Sequence, residues 1–247
     1  MHKRLIFSFF TAALFLGSCG IPSIPFIEPP EANSIPEYTS FSVSFKNAED
    51  NNPLYFQGYA LYYRFFSDQE KLATVVDSLA SADDRSDLLA KEYRFLYQME
   101  DNTGFPTEGY TPSKTMTIPV DLLDRNKTFN LTLDFNGDIV AAGDEINLFG
   151  TTITSSISGI FTDNILYVGR YIGQDREDDD NDVEVVKSFN EYAYSIDDAD
   201  IPDDFNFDTN TLYLSVYVIS FGQDTIGLSI FSKPVNLGKF QLNVNTL

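Results

Sequence analysis

The segment YALYYRFF at residues 59–66 constrains the fold more than any other part of this sequence. Side chains on a β-strand point alternately to two faces. The odd-numbered and even-numbered residues of the segment therefore form two separate faces: Tyr59, Leu61, Tyr63 and Phe65 on one, and Ala60, Tyr62, Arg64 and Phe66 on the other. Both faces are largely apolar, so the segment predicts a core strand that is covered on both sides.

Many other segments show the same two-residue alternation or are rich in β-branched and aromatic residues. We predict strands at residues 41–45, 115–120, 128–135, 145–149, 165–172, 183–189, 211–221, 227–232 and 239–244. This density of short strands, separated by turn residues, is typical of an antiparallel β-sandwich.

Residues 68–91 have a helical pattern instead. Asp68 is a suitable N-cap, and the apolar residues that follow it recur at helical spacing: Leu72, Val75, Val76 and Leu79. The sequence SADDR interrupts the pattern, and Ser86 is the predicted cap of a short second helix that runs to Lys91. We therefore predict a mainly β fold with an insertion that contains a short helical pair.

Two segments resemble the fibronectin type III family. Residues 41–64, which include Gly58-Tyr59-x-Leu61-x-Tyr63, resemble its B–C region, and residues 211–237 resemble its F–G region. The resemblance implies an antiparallel Ig/fibronectin type III-like sandwich over residues 38–247, in which Tyr59, Leu61 and Tyr63 share one core with Val216 and Val218. It also implies a long insertion at about residues 67–210, because the family has far fewer residues between the two matched segments. The chain departs from the family at Phe45, where the family usually has tryptophan.

The N-terminus resembles a bacterial lipoprotein signal peptide at residues 1–18. A basic start precedes an apolar stretch from Leu5 to Leu16, which is too short to remain as a spanning helix, and small residues then lead to Cys19. The resemblance implies lipid attachment at Cys19, including an acyl chain such as palmitate, and Gly20 favours the outer membrane. An ordinary secretory signal that happens to contain a cysteine is the alternative.

Residues 19–37 are rich in proline and predict an extended tether, long enough to hold a domain up to roughly 50 Å from the membrane. The segment SIFSKPVNLGKFQL at residues 229–242 resembles the C-termini of spirochaete-type lipoproteins. Together these features predict a lipid-anchored outer-membrane protein whose domain faces either the periplasm or the cell surface.

The composition excludes several classes of chemistry. The chain has one cysteine, Cys19, one histidine, His2, and no tryptophan. A chain cleaved before Cys19 therefore lacks a Ser-His-Asp or Cys-His catalytic group and His- or Cys-ligated zinc. It would carry 14 Lys and Arg against 37 Asp and Glu, a formal charge of −23, which disfavours nucleic acid and anionic lipid as partners. Membrane attachment is then predicted through the lipid.

Acidic segments are the candidates for a metal site. Asp134, Asn136, Asp138 and Glu145 fit part of a calcium-loop template, but Ile139 stands where the loop requires glycine, and Asn136-Gly137 predicts a tight hairpin instead. The densest acidic run includes Asp178, Asp179, Asp180 and Asp182. We predict that residues 175–182 form a mobile exposed loop without a specific metal site, because like charges repel; calcium binding is the alternative.

These observations predict a non-catalytic binding or structural module without a cofactor. The predicted partners are the membrane, through the lipid, and a cationic protein of the cell envelope or of a host. One alternative is a periplasmic carbohydrate hydrolase that works with carboxylates alone. The other is a calcium-dependent binding protein.

Overall fold

A computed structural model of the protein describes residues 25–34, 37–38, 42–46, 48, 50–52, 54–99, 114–115, 117–119, 128–132, 141–142, 145–146, 152–155, 167–176, 182–188, 197–209 and 211–243. The strands are β1 (Glu31–Ser34), β2 (Glu37–Tyr38), β3 (Ser42–Lys46), β4 (Phe56–Phe66), β5 (Arg94–Phe95), β6 (Tyr97–Met99), β7 (Lys114–Thr115), β8 (Thr117–Pro119), β9 (Thr128–Thr132), β10 (Ala141–Ala142), β11 (Glu145–Ile146), β12 (Thr152–Ser155), β13 (Tyr167–Arg176), β14 (Asp182–Ser188), β15 (Thr211–Gln223), β16 (Ser229–Phe231) and β17 (Val235–Asn243). The helices are α1 (Gln69–Ser78) and α2 (Arg85–Ala90), and Phe207–Thr209 forms a 3-10 turn.

The central sheet is built on its two longest strands. β4 and β15 pair antiparallel over almost their whole length, from Phe66 opposite Tyr213 to Phe56 opposite Gly222. The other edge of β15 pairs with β17 and then with β16, and the other edge of β4 pairs with β5 and β8. β2 adds a short parallel pairing to β17. The described residues are thus mainly β with antiparallel pairing, as predicted, and the sheet is curled.

One face of the central sheet carries the larger apolar core. Tyr59, Leu61 and Tyr63 of β4 are fully buried there together with Val216 and Val218 of β15, which confirms the predicted set. Phe45 of β3 packs edge-on against Tyr59, with ring centroids 5.1 Å apart. A second sheet, in the order β1, β3, β9, β12, therefore contributes to this core.

The opposite face carries a second core that the helices complete. Tyr62 and Phe66 of β4 and Ile219 of β15 pack there against Leu72 of α1 and Leu88 of α2. Arg64 belongs to this face but lies at its edge, where its guanidinium stacks over Phe66 and reaches Glu92. The prediction that both faces of residues 59–66 are covered is confirmed.

The two helices begin at aspartate caps. Lys71 N donates to Asp68 Oδ1 at 2.8 Å, as predicted for the first helix. The predicted cap of the second helix was wrong, because Asp84 caps α2 and forms a capping box with Asp87. Ser86 lies inside the first turn, where its backbone N–H donates to Asp84 Oδ1 at 2.6 Å. A carboxylate two residues earlier can accept the free backbone donors of the first turn, so it takes the role.

The predicted tether is wrong for its second half. Ile27 is only 2% exposed and belongs to the larger core, and Glu28 N donates to Asn51 Oδ1 at 2.7 Å. β1 pairs with β3, and β2 pairs with β17. Proline density alone indicated a spacer, but Ile27, which lies between Pro25 and Pro29, is buried in the core, and the two short strands that follow pair with neighbouring strands.

A third sheet has the order β14, β13, β6, β7. In its β13–β14 hairpin Arg176 is opposite Asp182, and Asp175 is opposite Val183. The predicted loop at residues 175–182 was therefore too long, because Asp175, Arg176 and Asp182 extend the two paired strands. Residues 177–181 lie outside the described residues.

Candidate functional site

A pocket of about 470 Å³ lies where β4 ends and α1 begins. One wall consists of the residues around this junction, from Arg64 to Val75. Pro202 and Asp204, which are distant in sequence, form the opposite wall. The pocket thus depends on a tertiary contact between the strand–helix junction and the segment at residues 197–205.

The cap of α1 fixes the charged groups at the pocket. Asp68 has an extended backbone, which turns the chain from the strand into the helix. The backbone N–H of Lys71 donates to the Asp68 carboxylate, and chiefly for this reason the pKa of Asp68 lies below its ordinary value. An ionised carboxylate is favourable at a helix N-terminus, so the charge and the cap support each other.

Lys71 connects the two walls of the pocket. Its ammonium forms ion pairs with Asp204 and with Asp68, and the Lys71 Nζ–Asp68 Oδ2 distance is 3.4 Å. Ser67 Oγ donates to Asp204 Oδ2 at 3.1 Å. The side chains of Lys71 and Asp204 are 50% and 56% exposed, so water and salt screen this pair. A charged ligand can therefore compete for its members.

The remaining charges leave an excess of acid at the pocket. Arg64 donates through Nη2 to Glu92 Oε2 at 2.7 Å and through Nη1 to the Lys91 carbonyl. Both cations of the lining, Arg64 and Lys71, thus already have acidic or carbonyl partners. Glu70 lines the pocket and forms no ion pair with any residue that the structure describes. The pocket therefore favours a cationic group over an anion.

A buried ion cluster holds the far wall in place. Arg170 of β13 is 1% exposed and donates to Asp198 Oδ2 at 2.5 Å and to Asp200 Oδ1 at 2.6 Å. Tyr63 Oη donates to the second carboxylate oxygen of Asp200 at 2.9 Å. Because Asp198 and Asp200 directly precede Ile201 and Pro202, the cluster fixes the segment that forms the pocket wall.

Burial affects the protonation of one member of this cluster, Asp200. It raises the pKa of Asp200 above the ordinary value, although the Arg170 charge and the Tyr63 hydrogen bond oppose the shift. A carboxyl with a raised pKa is a candidate catalytic acid. However, the Asp200 side chain is only 2% exposed and all its described contacts are internal, so a substrate has no access to it. Its role is structural.

Sequence reasoning missed both the pocket and the ion cluster. Asp198 and Asp200 belong to an acid-rich region, whose charges suggested only a solvated surface. A usable signal existed at Arg170, which stands inside an apolar strand segment, because a buried arginine requires acidic partners. The apolar residues Ile201 and Phe205 also indicated that the acidic region returns to the core.

The residues that the sequence singled out are only partly described. Cys19, Asp178, Asp179 and Asp180 lie outside the described residues, as do Asp134, Asn136 and Asp138. Asp182 begins β14, and Glu145 begins β11. Within the described ranges, the structure contains no group of three or more His, Cys, Asp or Glu arranged to hold a metal ion.

No protein-family model, curated protein or solved structure matches this chain. Of the helices described above, none is long and apolar enough to cross a membrane.

Proposed function

We propose that the protein is a lipid-anchored outer-membrane lipoprotein that acts as a non-catalytic binding module. The N-terminal sequence, from the basic start to Cys19, supports the anchor. The observation that supports binding is the pocket at the start of α1. There Arg64 and Lys71 form ion pairs with acidic residues, whereas Glu70 forms none with any residue that the structure describes. The ligand class that follows is a basic group, such as a lysine side chain of a partner protein.

We also propose that the central sheet corresponds to one layer of a fibronectin type III-like sandwich. The adjacency of β4, β15 and β17 supports this, because the C, F and G strands of that family are neighbours. The shared burial of Phe45, Tyr59 and Val218 in one core gives further support. The helices α1 and α2 then represent an insertion that covers the outer face of this layer.

The chemistry of the pocket supports binding over hydrolysis. Glycoside hydrolysis by two carboxylates needs a general acid whose pKa is raised, commonly by an apolar setting. The pKa of Asp68 is lowered, and Asp68 and Asp204 share the Lys71 ammonium. A carboxylate that is stabilised in its charged form donates a proton poorly, so Asp68 is a poor general acid for this mechanism, which favours the binding proposal.

Labelled palmitate tests the anchor. Cells that express the wild-type protein should incorporate the label into it, and cells that express Cys19→Ala should not. Retention of label in the variant would contradict lipid attachment at this cysteine. Signal-peptide cleavage in the variant, followed by gel mobility, serves as the control for export.

A lysine-rich peptide tests the pocket. We expect Glu70→Gln to weaken binding of hexalysine by about two- to fivefold, the range for one exposed charge pair. Asp77→Asn is the matched control, because Asp77 is an exposed acid of the same helix that does not line the pocket. An equal loss of hexalysine affinity in both variants would mean that net charge alone attracts the peptide. It would contradict the assignment of the pocket as the binding site.

Calorimetry with calcium at physiological salt tests the metal alternative. We expect weak, salt-sensitive heat without a defined stoichiometry, because one arginine cannot neutralise the adjacent acids of residues 175–182, and this run has no glycine to fold it around an ion. Saturable 1:1 binding at micromolar strength that Asp178→Asn with Asp180→Asn abolishes would instead establish a calcium-binding protein.

A further inference from the structure

Large apolar side chains are exposed mainly at one end of the central sheet. Five are exposed in the described part of the chain, and Leu89 of α2 is the least exposed of them at 42%. The other four are 62% to 81% exposed and define what we name the apolar end: Phe26, Leu54, Ile226 and Leu228. A cluster of exposed apolar side chains, unlike a single one, indicates a site of contact with a membrane or with another protein.

Backbone contacts bring Leu54 and Leu228 to the same place. Gln223, the last residue of β15, donates its N–H to Tyr55 O at 2.9 Å on one side and is opposite Ser229 of β16 on the other. Leu54 and Leu228 are the next residues along those two neighbours. With strands about 4.8 Å apart, their backbones lie on the order of 10 Å from each other.

Gly222 brings the N-terminal segment to this end as well. A Cβ atom at this position would lie 2.0 Å from Tyr55 O and 2.7 Å from Ile27 Cδ1. Only glycine permits so close an approach of β15 to both segments. Because Ile27 is buried against this glycine, the exposed ring of Phe26 is held at the same end of the sheet.

The turn that carries the two aliphatic side chains is well defined. The Asp224 carboxylate accepts hydrogen bonds from Ile226 N at 2.9 Å and from Leu228 N at 2.8 Å. Gly227 has a φ of +85°, which favours glycine, and completes the turn. These local bonds thus fix the conformation of the turn in which Ile226 and Leu228 are exposed.

We infer that the apolar end rests on the lipid bilayer, an inference that depends on the proposed anchor at Cys19. Seven residue steps separate Cys19 from Phe26, and a fully extended chain of that length reaches at most about 25 Å. An anchored protein must therefore keep its apolar end within that distance of the membrane. The occupant is a neutral lipid surface, because the acidic chain repels anionic headgroups.

Single tryptophans can test this contact without background, since the chain contains no tryptophan. The lipidated protein, purified from membranes, is reconstituted with brominated phosphatidylcholine vesicles, whose bromine atoms quench tryptophan within the acyl region. Ile226→Trp and Leu54→Trp place the probe at the apolar end, and Leu89→Trp on α2 is the matched control. We expect loss of emission at positions 226 and 54 and retained emission at position 89.

The outcomes separate the two proposals. Flotation of the protein with the vesicles, together with equal emission from all three variants, would leave the anchor standing and overturn the docking of the apolar end. Failure of the wild-type protein to float would overturn the anchor and, with it, the docking. Loss of emission that is the same in vesicles without bromine would show that the quenching does not come from the acyl chains, and would also overturn the inference.

Discussion

Removal of Arg170 should destabilise the fold more than removal of any surface cation. The Arg170→Met variant keeps most of the side-chain volume but leaves Asp198 and Asp200 buried without their cation. Their side chains are 5% and 2% exposed. Breaking a buried ion pair on one side costs about 3–5 kcal/mol. For a chain of this size, that loss corresponds to a decrease in Tm of roughly 6–20 °C.

The loss should also depend on pH, with a sign set by Asp200. Burial raises the pKa of Asp200 in the folded chain above its value in the unfolded chain. Between these two pKa values the folded state binds more protons, so its stability falls as the pH rises. Arg170 opposes the raised pKa, and its removal extends this interval to higher pH. The variant should therefore lose most stability near pH 7 and recover part of it as the pH falls toward 5.

Urea unfolding, followed by circular dichroism at pH 7 and pH 5, measures both effects. Lys233→Met is the matched control, because Lys233 pairs with Asp83 on the surface, where the side chains are 59% and 80% exposed. Its loss should be at most about 1 kcal/mol. A loss below about 1 kcal/mol for Arg170→Met would refute the structural role assigned to the cluster. A larger loss that is the same at both pH values would leave that role standing and refute the effect assigned to Asp200.

Four other substitutions test the core, the close approach at the apolar end and the helix cap, each by urea unfolding. Leu61→Ala should cost about 2–5 kcal/mol because Leu61 is fully buried; a loss of a few tenths would place this strand outside the core. Gly222→Ala should cost at least about 1–3 kcal/mol, since the new Cβ would overlap a backbone oxygen; an unchanged midpoint would disprove that contact. Asp84→Ala should cost about 0.5–2 kcal/mol and Ser86→Ala less, because only Asp84 caps α2; equal losses would restore Ser86 as the cap.

Local sequence pattern was sufficient to predict the elements whose own periodicity decides which side chains are buried. The alternation at residues 59–66 predicted both faces of β4, because each side chain points to a fixed side of the strand. Helical spacing after Asp68 predicted α1 for the same reason. The cap of α2 was misassigned because Asp84 and Ser86 both fit an N-cap, and only the register of the helix distinguishes them.

Contacts between distant residues were not accessible from local pattern. Lys71 meets Asp204 across 133 positions of sequence, and Tyr63 meets Asp200 across 137. The charge of each acid was visible in the sequence, but its burial was not, because burial depends on where the chain returns. The N-terminal prolines led to the opposite error. Their density predicted a tether outside the fold, but Ile27, between two of these prolines, is buried in the core.

The two proposed surfaces lie at opposite ends of the same strand. The apolar end adjoins the beginning of β4 at Phe56, and the pocket adjoins its end at Phe66. An extended strand of this length spans about 33 Å. A protein that rests on the bilayer through the apolar end therefore holds the pocket away from the lipid, toward a soluble or protein-borne basic group. At that separation the two sites should act independently, so Glu70→Gln should weaken hexalysine binding equally in vesicles and in detergent.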